Sequence, residues 1–500
     1  MNLKLNKLLK WKYFDYLFLA ILFITGFLLR SYLIDKNLFF GPEQGRDMLV
    51  VKDIVTSHKL VLIGPKTAVE GIFHGPLYYY LAGIPFILSK GNPLVIELFF
   101  IFLNSLSVFL IYLLGKELFN RKISLIAPLL FTFSFGAIVM ARWLSHPPLI
   151  IPVSCLFFLF LIRFIKGKNN YLIPTAIAYG VASQTEFSNL IIFTFVLFFT
   201  IIVFRKRFIE QKVINLIISL FLVVTLPTFN FILFDIRHDF LITKSIFKSQ
   251  AHRPEFLSYI FLTLSGSVTQ FLKVLSDIVS PLNIWGAAVI FVFCLYSLNK
   301  LRTKYKNGAY VLLIWIFSPF AAFILLRYNP LYHYFTSSIA AIIILFAVLY
   351  EYIFSIKKGV FYIAIALYII MNFIFIFNFL PENKNVFFQS TQPQLKYSDQ
   401  VSVIREIYKE ANGQPFFYQA YTIPYWMQDG WQYLFWYYGN NDYNYIPKHL
   451  DKGLLFVIIQ DDPSTKLYQH NWLKDTVSAW GVREGAFGYG ALRIEKLIVK

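Results

Sequence analysis

The sequence predicts an all-α polytopic membrane protein, with about 11 transmembrane helices and a small C-terminal α/β domain outside the cytoplasm. Three observations predict this fold class: the hydrophobic fraction, the length of the apolar runs, and the places where charges gather. Of the 500 residues, 57% are hydrophobic and only 15% are charged, whereas soluble domains carry roughly 25% charged residues. The apolar residues form runs of about 17–23 residues, the length that a helix needs to cross the hydrocarbon core.

Eleven apolar runs are long enough to be considered as membrane spans. Their expected ranges are 14–33, 93–115, 123–141, 148–165, 171–185, 188–204, 213–234, 284–299, 309–326, 335–355 and 359–380. The run Pro76–Leu88 is shorter and contains Pro85. We expect it to be a helix lying along the outer membrane interface, where its tyrosines suit the headgroup region.

The net charge of +19 comes mostly from short basic clusters between the apolar runs. Clusters in these positions follow the positive-inside rule and set membrane topology, so we expect no nucleic-acid partner. The clusters are Lys4, Lys7, Lys10 and Lys12; Lys116, Arg121 and Lys122; Arg163, Lys166 and Lys168; Arg205, Lys206, Arg207 and Lys212; Lys300, Arg302, Lys304 and Lys306; and Lys357 and Lys358. The predicted protein is therefore a multi-pass plasma-membrane protein with a cytoplasmic N-terminus.

We divide the chain into a transmembrane domain, residues 1–380, and an outer α/β domain, residues 381–500. The first domain includes two long outer segments, the loop of residues 34–92 and residues 235–283. In the second, Asp399–Ala411 has helical periodicity and is followed by Gly413, a common helix stop. Pro415–Tyr421 and Leu454–Gln460 are predicted strands, with the aromatic stretch Tyr425–Tyr438 between them.

Ionisable side chains gather at the outer ends of the predicted spans and in the first outer loop. Such groups are costly near a membrane, so their common side is informative. Glu43 and Asp47 lie four residues apart in the loop, and the other candidates are His74, Arg142, His146, Glu186, Arg237, His238, Arg327 and His333. If the helix ends converge, carboxylates, imidazoles and guanidiniums together can bind an anion and move a proton.

Simpler explanations exist for each of these candidates. A single Arg or His at an interface is often only an anchor, and Asp235–Asp239 has the composition of an ion-paired helix end. Glu43 and Asp47 could belong to a solvated helix face. No cluster has metal-ligand spacing, so we expect no structural zinc and no required cofactor, and leave open a weakly held magnesium or manganese ion.

Three short motifs occur in a characteristic order along the chain. They are Pro42-Glu43-Gln44-Gly45-Arg46-Asp47, His74-Gly75-Pro76-Leu77-Tyr78-Tyr79 and Gly115-Lys116-Glu117-Leu118-Phe119-Asn120-Arg121-Lys122. Over roughly residues 10–380, this order resembles the GT-C glycosyltransferases, and especially their bacterial protein O-mannosyltransferase and aminoarabinose transferase branch.

The resemblance implies a GT-C-like fold and transfer of a sugar from a polyprenyl-phosphate donor to a hydroxyl acceptor outside the cytoplasm, with inversion. The acceptor would be a cell-envelope glycan, a lipid or a protein. The family's first-loop base corresponds to Glu43, with Asp47 as its neighbour. His74 matches a position where relatives often carry a phosphate-facing lysine.

The chain departs from the family pattern at two places. Pro42 precedes Glu43 where relatives often carry a second acid, and His146 lies at the end of a span where another acid is common. Either departure leaves room for Asp47 or Glu186 to serve as the base instead. Outside the glycosyltransferase reading, the alternatives are a secondary transporter, a lipid-linked glycan ligase or polymerase, and a non-catalytic scaffold. The absence of internal repeats and the one-sided polar groups disfavour a transporter.

Overall fold

Helices make up most of the computed structural model, which describes residues 13–251, 256–279, 283–381, 395–423, 425, 427–462 and 465–500. The basic cluster Lys4–Lys12 and the start of the predicted outer domain, residues 382–394, lie outside the described residues. The helices are α1 (Phe14–Ser31), α2 (Ile34–Asn37), α3 (Pro42–Ser57), α4 (Leu77–Ser89), α5 (Pro93–Ser105), α6 (Ser107–Leu118), α7 (Arg121–Phe133), α8 (Phe135–Ala141), α9 (Ile150–Ile165), α10 (Leu172–Thr185), α11 (Phe187–Val203), α12 (Arg205–Ile209), α13 (Val213–Arg237), α14 (Leu241–Ala251), α15 (Phe256–Val279), α16 (Ile284–Arg302), α17 (Lys306–Leu326), α18 (Ile339–Ile356), α19 (Lys358–Phe379), α20 (Tyr397–Ala411), α21 (Asp429–Tyr438) and α22 (Lys466–Asn471).

A helix forms within each of the eleven predicted spans, and the chain is a multi-pass membrane protein. In the described part of the chain, eight helical segments are long and apolar enough to cross a membrane. The number rises to nine if α7 and α8, which meet at a bend of 62°, count as one span. The count of eleven is not confirmed, because α10 has only 14 residues and α11 only 17.

Two helices that the sequence analysis did not identify lie in residues 235–283, and the expectation that this segment is outside the cytoplasm stays a prediction. This segment contains α14 and the 24-residue α15. The C-terminal half of α15 packs into the main core through Phe271, Val274 and Ile278. The carbonyl of Ile278 accepts hydrogen bonds from Ser134 Oγ at 2.9 Å and Tyr368 Oη at 3.2 Å. These two side chains donate to a backbone carbonyl in the last turn of α15, where carbonyl groups lack partners within the helix. A hydrophobicity pattern does not predict such hydrogen bonds.

The C-terminal region folds as a four-stranded sheet covered by helices. Its strands β1 (Phe416–Tyr421), β2 (Gly453–Gln460), β3 (Val482–Tyr489) and β4 (Leu492–Val499) lie in the order β1-β2-β4-β3. β1 pairs with β2 in parallel, and the other two pairings are antiparallel. The predicted helix and two predicted strands are confirmed, whereas the hairpin β3–β4 was not foreseen.

The C-terminal region shares a hydrophobic core with the first outer loop. Residues of α3 and α4 pack with residues of α20, α21 and the sheet. Tyr433 Oη donates a hydrogen bond to the Gly91 carbonyl at 2.6 Å, and Gln400 Nε2 donates one to the Phe40 carbonyl at 3.0 Å. The boundary at residue 381 stays a prediction, but the loop that carries Glu43 and Asp47 packs directly against the region beyond it.

Candidate active site

A tight turn in the first outer loop places His74. Lys66 and Phe73 form an antiparallel bridge, the Gly64 N–H donates to the His74 carbonyl at 2.8 Å, and the His74 N–H donates to the Pro65 carbonyl at 2.9 Å. A Cβ at Gly64 would lie 2.1 Å from the Gly75 carbonyl oxygen, so this close approach requires glycine. The turn buries the His74 side chain beside the start of α11, where it contacts Phe187.

The fold gathers four candidates from separate segments into one buried cluster, which we call the histidine cluster: His74, His146, Glu186 and His333. One side-chain ligand atom from each of His74, His146 and Glu186 lies within 4.8 Å of the others. The two imidazole rings of His74 and His146 are 4.2 Å apart between centroids. His333 Nε2 lies 3.6 Å from Glu186 Oε1.

Hydrogen bonding fixes the protonation of His74. The backbone N–H of Phe187 donates to His74 Nδ1 at 3.0 Å, so the neutral ring carries its proton on Nε2. Burial, together with the smaller effects of the neighbouring His333 and Arg46, lowers the pKa of His74 to about 3. At neutral pH, His74 is therefore an uncharged hydrogen-bond donor.

A second group of polar side chains lies on α3, close to the histidine cluster. Asp47 is 2% exposed and accepts hydrogen bonds from Arg46 Nε at 2.9 Å and from Tyr79 Oη at 3.1 Å. Burial raises the pKa of Asp47 to about 6, although the adjacent Arg46 opposes the shift. Glu43 is exposed one turn earlier on the helix, and its charge influences both Arg46 and Asp47.

An apolar cavity of about 230 Å³ opens beside His74. Its wall includes Ile72 from the outer loop, Phe187 and Ile191 from α11, and Tyr334 near the start of α18. The cavity thus connects the polar cluster to a surface that suits a hydrocarbon chain.

Comparisons with known proteins identify the fold that carries this site. Residues 73–231 match the family model described as Dolichyl-phosphate-mannose-protein mannosyltransferase. The crystal structure of ArnT from Cupriavidus metallidurans, bound to undecaprenyl phosphate, superposes with a TM-score of 0.60 at 13% identity, covering 97% of this chain and 98% of that chain. The chain has the GT-C fold.

An archaeal enzyme with the same GT-C fold also superposes on the chain. The apo oligosaccharyltransferase from Archaeoglobus fulgidus gives a TM-score of 0.52 at 13% identity, covering 96% of this chain and 74% of that chain. No curated protein matches the sequence. The resemblance that the three sequence motifs indicated is confirmed at the level of the fold.

Four other predicted site residues are not members of the histidine cluster. Arg142 is buried, and its Nη1 donates to the carbonyls of Arg30 and Tyr32 at 2.7 Å each. Arg237 and His238 are exposed at the end of α13, where His238 Nδ1 contacts the Phe234 carbonyl at 2.8 Å. Arg327 is half-buried at the end of α17, in a left-handed conformation with φ of 50°.

Within the Asp235–Asp239 segment, the structure shows what the Asp235 carboxylate binds. Asp235 accepts hydrogen bonds from the backbone N–H groups of Ile242 at 2.7 Å and Thr243 at 3.2 Å. Its carboxylate therefore holds the first turn of α14 against the end of α13, which is a structural role. The charge pattern of the segment did not predict this role.

Sequence reasoning did not single out Arg46 or Tyr79 as site residues. Both appear in the motifs that carried the family resemblance, but an arginine next to an aspartate is usually a solvated surface pair. Here the Arg46 side chain is 36% exposed while its partner Asp47 is buried. The pair lies beside the histidine cluster, since the charge of Arg46 influences His74 and His146.

Proposed function

We propose that the protein is an integral membrane glycosyltransferase that moves a sugar from a polyprenyl-phosphate donor to a hydroxyl acceptor on the outer face of the membrane. The observation that carries this proposal is the meeting of three features on one side of the helices: an exposed carboxylate, a cationic and imidazole-lined pocket, and an apolar cavity. The likeness to ArnT, whose structure contains undecaprenyl phosphate, supports the choice of donor.

Glu43 would be the general base. It lies exposed at the start of α3, where an acceptor hydroxyl can reach it from outside, whereas Asp47 is already bonded to Arg46 and Tyr79. The acceptor oxygen would attack the anomeric carbon as Glu43 takes its proton. The bond from that carbon to the phosphate oxygen breaks, and the electron pair leaves with the lipid phosphate.

Arg46 and His74 would stabilise the negative charge that grows on the departing phosphate. A guanidinium with an exposed edge presents several donors to phosphate oxygens, and the His74 Nε2–H adds a neutral donor. Asp47 would be a positioning residue, because its two contacts hold the Arg46 guanidinium in place. His146, Glu186 and His333 would complete the polar wall of the pocket.

The apolar cavity would take the first isoprenoid units of the donor, with the phosphate beside His74. In this arrangement the N-terminus lies in the cytoplasm and residues 381–500 lie outside, as the basic clusters predict. The proton transfer and the charge stabilisation described above use side chains of this protein. The sugar would be a hexose or pentose, transferred with inversion.

A direct test uses the purified protein in detergent with a panel of radiolabelled polyprenyl-phosphate sugars. We expect at least one donor to lose its label to a hydroxyl acceptor or, more slowly, to water. A matched preparation of Arg46→Ala should release the label much more slowly. Retention of every label by the folded wild-type protein, with envelope extracts supplied as acceptors, would contradict the proposal.

A further inference from the structure

Glu186 occupies an unusual place for a carboxylate. It lies at the break between α10 and α11 and is only 1% exposed, and its Oε1 has no hydrogen-bond partner among the described residues. Its ion-pair contact there is with His333, at 3.6 Å. An ionised carboxylate in such a place is costly unless a cation lies beside it.

His146 offers a free nitrogen towards the same space. The side chain is 8% exposed, and Nε2 is buried without a hydrogen-bond partner in the described chain. Nδ1 lies 3.4 Å from Ser145 Oγ. If Nδ1–H points at this hydroxyl, Nε2 keeps its lone pair, which is the arrangement that metal-binding histidines use.

The two remaining imidazoles of the cluster are not equivalent. His74 uses its Nδ1 lone pair to accept the Phe187 N–H, which leaves a proton on Nε2, and a protonated nitrogen cannot bind a metal ion. His333 Nε2 already faces Glu186 Oε1, and its ring packs edge-on against Trp143 at 5.5 Å between centroids. The third ligand should therefore be His333.

We propose that His146, Glu186 and His333 form a binding site for a divalent transition-metal ion of the zinc class. Two imidazoles and one carboxylate with a fourth, open position are a ligand set that zinc favours. The nearest-neighbour spacing of such ligands is about 3.4 Å for metal–ligand bonds of about 2.0–2.2 Å. Glu186 Oε1 lies 3.6 Å from His333 Nε2, and a carboxylate oxygen of Glu186 lies within 4.8 Å of a ring nitrogen of His146. Rotation of these side chains about Glu186 would bring the three ligand atoms to that spacing.

Such an ion would have a definite chemical use. A divalent ion held beside the His74 ring would attract and polarise a phosphate oxygen. The binding site itself stands on the geometry of the cluster and does not depend on the glycosyl transfer proposed above.

Cobalt(II) binding tests the site without an activity assay. The full-length protein in detergent, stripped with chelator, is titrated with CoCl₂, and the visible absorption of low-coordinate Co²⁺ is recorded. We expect one equivalent to bind in the wild type and in His58→Asn, a control that replaces an exposed histidine of the same loop with a residue that tolerates its left-handed φ of 53°. Zinc should displace the cobalt and abolish the band.

The ligand variants decide the assignment. Glu186→Gln, His146→Gln and His333→Gln should each weaken binding by at least about 10–100-fold, because even the loss of an outer partner of a ligand costs that much. His74→Gln should keep the band. Absence of a band in the wild type, or an unchanged band in both Glu186→Gln and His146→Gln, would overturn the proposal.

Two further readouts keep the result interpretable. Size-exclusion profiles and thermal melting identify variants that do not fold, and any two folded ligand variants are enough to decide. Loss of the band in His74→Gln together with its survival in His333→Gln would contradict the ligand set. Metal binding without sugar transfer would leave this site standing while the proposed function fails, and the reverse result would do the opposite.

Discussion

The buried carboxylate of Asp47 holds the guanidinium of Arg46 in place. This carboxylate is almost fully buried, and the contacts with Arg46 and Tyr79 offset part of the cost of removing it from water. Because its pKa is raised to about 6, the folded protein holds this proton more tightly than the unfolded chain. The stability from that group is therefore fully present below about pH 4 and is lost as the pH rises through about 6.

The first residue-scale prediction concerns pH. As the pH falls through about 6, Asp47 becomes protonated and loosens its hold on Arg46, so sugar transfer should fall. The Asp47→Asn variant should be slow at every pH and should lack this acidic limb. Initial rates of label transfer between pH 4.5 and 8 measure both effects. An acidic limb with the same midpoint in Asp47→Asn would assign it to a different group.

The second residue-scale prediction concerns Arg46. Removing one preorganised charge-stabilising donor typically costs about 10²–10³-fold in turnover, and we expect Arg46→Ala to lose activity in that range. Arg405→Ala, which removes an exposed arginine on α20, serves as the matched control. Steady-state transfer rates compare the two variants. Equal rates for Arg46→Ala and the control would exclude Arg46 from the site.

At the scale of elements, α3 is held in place by the C-terminal region. A Cβ at Gly45 would lie 2.3 Å from backbone atoms of both Asp429 and Gly430 at the start of α21. This approach is closer than any side chain permits, so the helix that carries Glu43 and Arg46 is positioned by a glycine contact. The C-terminal region thus takes part in shaping the site.

The glycine contact leads to an element-scale prediction. Gly45→Ala should push α3 away from α21, lowering both the melting temperature and the transfer rate. Gly359→Ala is the matched control, because a Cβ at this helical glycine on α19 meets no atom within 4 Å and alanine favours a helix by about 0.5–1 kcal/mol. Thermal melting in detergent measures stability. A melting temperature for Gly45→Ala equal to that of the control would show that the interface is loose.

The sequence allowed some elements to be predicted better than others. Long apolar runs identify their helices because hydrophobicity and length suffice, and the pairing of Glu43 and Asp47 on one helix face follows from their spacing. α15 was missed because it mixes polar and apolar residues and ends in hydrogen bonds from Ser134 and Tyr368. The histidine cluster was beyond prediction as a unit, since its members come from segments that only tertiary packing brings together.

At the scale of the whole molecule, the proposed function requires the C-terminal region to lie outside the cytoplasm. A reporter that works only in the cytoplasm should stay inactive when fused after Lys500. The same reporter inserted at Gly167, within a predicted cytoplasmic loop where a side chain would meet no atom within 4 Å, should be active. An active reporter after Lys500 would invert the topology and remove the site from the outer face.

The central claim is that Glu43 takes the proton from the acceptor, and the Glu43→Gln variant tests it most directly. This change keeps the shape of the side chain but removes its basicity, so turnover should fall by about 10²–10⁴-fold while donor affinity stays nearly unchanged. Glu70→Gln, which alters another exposed acid of the same outer loop, should transfer sugar at the wild-type rate. Full turnover in a folded Glu43→Gln protein would contradict this role of Glu43.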